Sequence, residues 1–315
     1  MNLSQFAQRL AEIREERPPL PGGGSTSERH RRLMEVGRED LSVARLAEAH
    51  WDAVAILSEV GRAPAPGTLY GVWASEIPGK ALLFEHSDGC YHITGTKMFC
   101  SGAGLVDRAL VTVGLPEQRL FEVDLRKNIE SIVVDGSVWK TDAFRLTQTS
   151  TVTFNATELS LDALLGEAGW YLKRPGFWHG ACGPAACWAG GVAGLLDRAM
   201  LSKKDDPHTL AHLAAIHANV WALESYLDTA GREIDKTPSD LCGAQIRALE
   251  VRHLVEQICL DILRRFARAY GPSPLSMEAE VLRRYYEADL YVRQSHGERD
   301  LEAIGQLLRQ FPGAD

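Results

Sequence analysis

The chain has 315 residues, 45% hydrophobic and 24% charged, and a formal net charge of −8. That composition is ordinary for a soluble globular protein, and the length allows two or three packed units. The negative balance, with no basic run, excludes a nucleic-acid partner while leaving room for local cationic pockets.

The start, MNLSQFAQRLAEIREERPPL, mixes acids with bases and has no apolar core, so it does not read as a signal peptide. Leu3, Phe6, Leu10 and Ile13 predict an amphipathic helix over 3–16. PPLPGGGSTSERHRR, residues 18–32, reads as a flexible linker, and its GGGST lacks the lysine and spacing of a phosphate-binding loop. A second apolar helical pattern over 39–60 stops at APAPG, residues 63–67. Residues 1–68 are therefore expected to form an N-terminal helical region.

From 69 to 170 the texture is β-rich. LYGVWAS, ALLFEH, CYHITG, KMFCSG, RALVTVG, LFEVDL, SIVVDG and STVTFNA recur between Gly, Asp, Ser and Pro, as in an antiparallel barrel or sandwich. From 171 to 315 long helical segments lie near 178–202, 207–235, 239–270 and 277–309, which predicts an antiparallel four-helix bundle. Asp206-Pro207 supplies an N-cap and a first-turn proline. The expected fold class is α+β and multi-domain: short helical part, β domain, bundle.

Six cysteines (Cys90, Cys100, Cys182, Cys187, Cys242 and Cys259) form no CxxC pair, which fits reduced thiols and a cytoplasmic location. The longest apolar stretches are interrupted by Gly, Trp and His, so no membrane partner is expected. His208 and His212, with His217 beyond them, share a helix but have no third ligand in the sequence pattern, so no metal is expected. AGGVAG, residues 189–194, follows no strand and reads as a close helix approach rather than a dinucleotide loop. GxSxG, Walker and HExxH motifs are absent, which removes the commonest hydrolase and nucleotide-phosphate chemistries.

Two stretches stay open on residue types alone. ITGTKMFCSGAG, residues 93–104, is either a turn rich in small residues or an edge for a flat heteroaromatic ring, with Phe99 packed on its face. YVRQSHGERD, residues 291–300, is either a catalytic cluster or a solvated helix end. In the second reading Leu301, Ile304, Leu307 and Leu308 face the core, and Arg293, Arg299 and Asp300 pair outside.

Three segments together resemble the acyl-CoA dehydrogenase and oxidase superfamily. They are GCYHITGTKMFCSGAG (89–104), Trp139 with TQTSTVTFNATELSLDALLGEAG (147–169), and RPGFWHGACGPAA (174–186), so the likeness covers about residues 70–200. The resemblance implies a noncovalent FAD whose ring is held by Trp73, Ala74 and Ser75 and by Phe99, Cys100 and Ser101. It further implies a homodimer or homotetramer, and an acyl thioester such as an acyl-CoA, or a related small molecule, as substrate.

The departures are specific. The N-terminal part is short, IPGKALLFEHSDG replaces the family's Gly-Ser-Asp loop, and no Arg-x-x-Phe-Gly follows Met200, where Lys203 and Lys204 stand instead. The family's proton-abstracting glutamate sits in Tyr-Glu-Gly-Thr; here Ser295-His296-Gly297-Glu298 puts His296 in its place, with Glu298 two residues on. The family's other position for that base falls near Lys173. The expected activity is therefore an atypical flavin-dependent oxidoreductase of acyl-CoA dehydrogenase type, with His296 or Glu298 moving the proton. Two alternatives stand beside it: a catalytically degenerate binding or assembly protein, and a flavin-dependent monooxygenase relative that needs no α-proton base.

Overall fold

A computed structural model describes residues 1–310 apart from Pro78, Lys80 and Pro116, so part of the IPGKALLF segment lies outside the described residues. The chain divides into two compact units rather than three consecutive domains. One comprises residues 1–6, 18–48 and 175 onward; the other comprises 7–17 and 49–174. The first 68 residues are thus shared between the two and form no domain of their own.

Helix α1 (Leu3–Glu15) forms as its spacing predicts and buries Phe6, Leu10 and Ile13. The expected linker departs from its prediction, because helix α2 (Thr26–Glu39) begins inside it and buries Arg29, His30 and Leu33. The reason is a cap supplied from far along the chain. Asp235 accepts hydrogen bonds from the Gly24 and Thr26 amides at 3.0 and 2.8 Å and from the Thr26 hydroxyl. A carboxylate at a helix N-terminus satisfies free amides and complements the helix dipole. Helix α3 (Leu41–Glu59) follows, and Arg62 marks the chain's departure from it.

The β unit holds two four-stranded sheets. Strands β1 (Tyr70–Trp73), β4 (Arg108–Val113), β5 (Arg119–Asp124) and β8 (Leu164–Leu165) form one, and β2 (Leu83–Ser87), β3 (Cys90–Cys100), β7 (Ser150–Leu159) and β6 (Ile132–Asp135) the other. No closed barrel forms among the described residues, and the expectation of a wholly antiparallel domain is corrected: an isolated parallel bridge joins Leu83 to Leu115, and β1 runs parallel to β4. The whole β2–β3 hairpin intervenes between them in sequence and belongs to the other sheet, so the chain re-enters beside β1 in the same direction. Phe121 of β5 joins the sheets, its ring 5.5 Å from Phe84 and 5.2 Å from Tyr91. Full burial of a side chain of that size contributes roughly 2 kcal/mol. The short helix α4 (Trp170–Lys173) closes the unit.

The helical unit is built on α5 (Pro175–Met200), α6 (Pro207–Lys236) and α7 (Leu241–Tyr270), followed by α8 (Pro272–Met277), α9 (Ala279–Val292) and α10 (Glu298–Gln310). Asp206 caps α6 as expected, accepting from the Thr209 amide at 3.0 Å. The fourth bundle helix is not continuous. It breaks between Val292 and Glu298, where Gly297 adopts φ +55°. The glycines of AGGVAG do what close packing requires, since a Cβ on Gly190 would collide with the Met34 carbonyl of α2 and one on Gly37 would meet Cys187 O at 2.6 Å.

Candidate flavin-ring site

Strand β1 delivers Trp73 to the end of its sheet, where the side chain is 2% exposed and its indole N–H donates to the Ser101 carbonyl at 3.0 Å. The chain then leaves the sheet through half-buried Ala74 and exposed Ser75, whose hydroxyl bonds to no described residue. Glu76 pins the far end. Its carboxylate accepts from Lys97 Nζ at 2.9 Å and from the Thr112 hydroxyl at 2.7 Å, and Lys97 also donates to Thr112 O and Oγ1. All three ammonium protons of this buried lysine are therefore used, which lets a charge persist away from water. Burial lowers the Lys97 pKa below its ordinary value, and the Glu76 carboxylate opposes that shift. Sequence reasoning missed this triad; the alternation along β3, which sends Lys97 inward beside Ile93, is the available signal.

The second segment owes its shape to an irregularity. The register between β3 and β7 shifts between Lys97 and Cys100, and Phe99 takes φ +59° with 55% of its surface exposed. A left-handed conformation is costly for a bulky residue, and here it turns an aromatic ring outward. Cys100 points the other way, fully buried, with burial pushing its thiol up to about 12, so it is no nucleophile. Ser101 is nearly buried. Its Oγ accepts from Thr149 Oγ1 at 3.2 Å, Thr149 shares a hydrogen bond with Thr147 at 2.8 Å, and the Gly102 amide donates to Thr147 O at 2.7 Å. Thr147 and Thr149 are not evident from the sequence because they lie on a separate segment. Of the predicted residues, Trp73 and Ser101 are bonded to each other, Ala74 and Ser75 follow Trp73 along the chain, and Phe99 carries an exposed aromatic ring. The unused Ser75 hydroxyl and the turned-out Phe99 ring fit a flat heteroaromatic group.

His296 and Glu298 belong to the helical unit. His296 lies in the break between α9 and α10 with 56% of its side chain exposed, and its Nδ1 lies 3.2 Å from Asp300 Oδ1. Asp300 also accepts from the His296 amide at 3.2 Å, and Ser295 Oγ donates to Glu256 at 2.8 Å. Glu298 opens α10 and is exposed. Asp300 departs from the outward pairing expected of it, since it is 8% exposed and ties the break together. Arg293 does pair outside, with Asp289. Of the four residues assigned to the core face, Ile304 is buried, Leu307 packs partly against Ile246 and Leu249, and Leu301 and Leu308 stay exposed.

His208 and His212 meet edge to face at 4.6 Å, but no third histidine, cysteine or carboxylate among the described residues completes a metal-sized group with them. An open groove of about 720 Å³ lies between α2 and α6, yet its arginines are committed, Arg31 to Glu28 and Glu35, Arg38 to Asp197 and Arg232 to Asp228. No helix among the described residues is long and apolar enough to cross a membrane.

No family model and no curated protein matches the chain. Solved structures do. The dibenzothiophene monooxygenase TdsC from Paenibacillus sp. A11-2, in a complex with FMN and indole, is 17% identical, with 96% of this chain and 95% of that one covered at a TM-score of 0.78. The methanesulfinate monooxygenase MsuC from Pseudomonas fluorescens is 16% identical, with 99% and 97% covered at 0.77. KijD3, in complex with FMN and a dTDP-linked amino-keto sugar, is 14% identical, with 99% and 93% covered at 0.78. At these identities the likeness establishes architecture: the chain has the acyl-CoA dehydrogenase-like fold that these proteins share.

Proposed function

We propose that the chain is a flavin-dependent monooxygenase that uses reduced FMN and oxygen on a small organic substrate. The observation that carries this reading is the end-to-end likeness to dibenzothiophene and methanesulfinate monooxygenases, structures of that fold having been solved with FMN. The two segments expected to hold the ring support it, because the Trp73–Ser101 hydrogen bond joins them and Phe99 offers an exposed aromatic ring. The choice of FMN over FAD follows from the chain's lack of Arg-x-x-Phe-Gly after Met200, the segment that would contact an FAD pyrophosphate.

Bound reduced flavin supplies the two electrons with which one atom of oxygen enters the substrate and the other leaves as water. The protein's part is to hold the ring edge through Trp73, Ala74, Ser75 and Ser101, to cover one face with Phe99, and to keep the segment rigid through Glu76, Lys97 and Thr112. Acyl-CoA dehydrogenation is the less favoured reading, since it needs a carboxylate base in a dry site. Neither His296 nor Lys173 is a carboxylate, and Glu298 stands exposed at a helix start. A homodimer or homotetramer, as the resemblance implies, remains part of the proposal, and Trp221, 67% exposed on α6, is the side chain such a contact would cover.

The test is a flavin titration followed by turnover. The protein should bind FMN, in its oxidised or reduced state, with quenching of flavin fluorescence. Mixing the reduced complex with oxygen and a panel of heteroaromatic and organosulfur compounds should give a product heavier by one oxygen atom. Failure to bind flavin in either state sinks the reading, and anaerobic bleaching of bound flavin by an acyl-CoA would restore the dehydrogenase.

A further inference from the structure

The outer face of the second sheet carries a group of ligand atoms that the flavin reading leaves unused. Asp88 and Gly89 both have positive φ, 52° and 79°, which makes the β2–β3 connection a tight two-residue hairpin turn. That turn sets Ser87 opposite Cys90 and fixes the register of β3 against β2. His92 lies two residues beyond Cys90 on the same face, and Glu158 of β7 is its direct cross-strand partner. Tyr91, the residue between, points the opposite way, onto Phe121.

The atoms converge. Cys90 Sγ lies 3.8 Å from His92 Nε2, and the ligand atoms of Cys90, His92 and Glu158 all fall within 4.8 Å of one another. Tetrahedral zinc, with Zn–S of about 2.3 Å and Zn–N of about 2.0–2.1 Å, separates sulfur from nitrogen by about 3.5 Å. The Cys90–His92 spacing is therefore already near what one ion requires. Glu158 is exposed and on the surface of the strand, so its carboxylate can close the remaining distance by side-chain rotation. The outer partner is also present: the Ser87 hydroxyl lies 3.3 Å from His92 Nδ1 and can accept its proton in the tautomer that leaves Nε2 free to ligate.

The geometry points to a zinc site formed by Cys90 Sγ, His92 Nε2 and a Glu158 oxygen, with water in the fourth position. A thiolate with an imidazole selects a borderline-soft divalent ion over magnesium or calcium. Binding releases the Cys90 thiol proton to solvent, and the ion cross-links the β2–β3 hairpin to β7. The site is independent of the flavin reading and of the His208–His212 pair.

Protein stripped with chelator and kept reduced is titrated with Co2+ as a spectroscopic probe and then with Zn2+. One equivalent of Co2+ should give a thiolate-to-cobalt charge-transfer band, and Zn2+ should displace it and protect Cys90 from alkylation, read by peptide mass spectrometry. Cys90→Ser should abolish the band. Ser87→Ala should weaken binding roughly tenfold, and His92→Gln or Glu158→Gln by more. A His208→Gln/His212→Gln variant should bind as the parent does. Absence of the band in the parent protein, its survival in Cys90→Ser, or indifference to both His92→Gln and Glu158→Gln would each overturn the assignment.

Discussion

The indole N–H of Trp73 donates to the main-chain carbonyl of Ser101 at 3.0 Å, and this one bond joins the two segments predicted to hold a flavin ring. Both ends are almost fully buried, so the carbonyl has no water to replace a lost donor. Trp73→Phe keeps an aromatic ring and removes the N–H. An unsatisfied buried carbonyl costs about 1–3 kcal/mol. The expected outcome is a loss of that size in denaturant unfolding and a rise in the FMN dissociation constant of about tenfold, which corresponds to 1.4 kcal/mol. Unchanged flavin affinity would separate the two segments from ring binding.

Phe99 tests the same site in the opposite sense. Its φ of +59° strains an L residue, and its ring is 55% exposed, so it contributes little to the core. Phe99→Gly relieves a strain of about 1–2 kcal/mol and gives back about 0.5–1 kcal/mol in unfolded-chain entropy. Thermal stability should hold or rise slightly, while FMN binding weakens about five- to tenfold through loss of an aromatic contact of about 0.5–1.5 kcal/mol. A residue that strains the fold and serves the ligand should show that divergence; parallel losses would mark Phe99 as structural.

The order helix, sheets, bundle was legible because period-2 and period-3.6 patterns dominate long stretches, and the Asp206 cap and the AGGVAG packing are local features. What escaped the sequence was supplied from a distance. Helix α2 begins at Thr26 because Asp235 caps it, and nothing near GGGST announces that partner. The parallel β1–β4 pair depends on where an intervening hairpin docks. Within the site, the residue types around Phe99 were readable, but its turned-out ring comes from a register shift against β7, and the Lys97–Glu76–Thr112 triad joins three separate segments.

Two buried histidines should govern acid stability. His30 donates through Nδ1 to Leu227 O at 2.9 Å, and His50 accepts the Tyr70 amide at Nδ1 while its Nε2 faces Arg14 O. The neutral ring satisfies both His50 contacts, and a second proton would abolish the acceptor at Nδ1. Burial first of all lowers each pKa from 6.5 to about 4, against a backbone hydrogen bond that favours the charged form. The folded value is below the unfolded one, so the unfolded chain binds more protons between them. Stability is therefore intact above about 6.5 and falls as pH drops toward 4, by up to roughly 3 kcal/mol per histidine. Denaturant melts across pH 4–7 should show that slope, and His50→Gln should flatten part of it.

His296 provides the sharpest division between the two oxidoreductase chemistries. As an α-proton base it would have to sit dry and within reach of substrate, and its loss would cost roughly a hundred- to ten-thousand-fold in turnover. Its ring is instead 56% exposed and bonded to Asp300, in a break that Asp300 itself organises by accepting the His296 amide. Oxygen insertion needs no such base. Under the monooxygenase reading, His296→Gln and Glu298→Gln should each leave flavin-dependent oxygenation almost unchanged. Asp300→Ala should instead destabilise the α9–α10 junction by roughly 1 kcal/mol, the scale of a lost helix-terminus contact. The comparison of single-turnover rates with denaturant midpoints for these three variants separates the outcomes. A collapse of turnover in His296→Gln at unchanged stability would place the proton-transfer step at this position and return the dehydrogenase chemistry to first place.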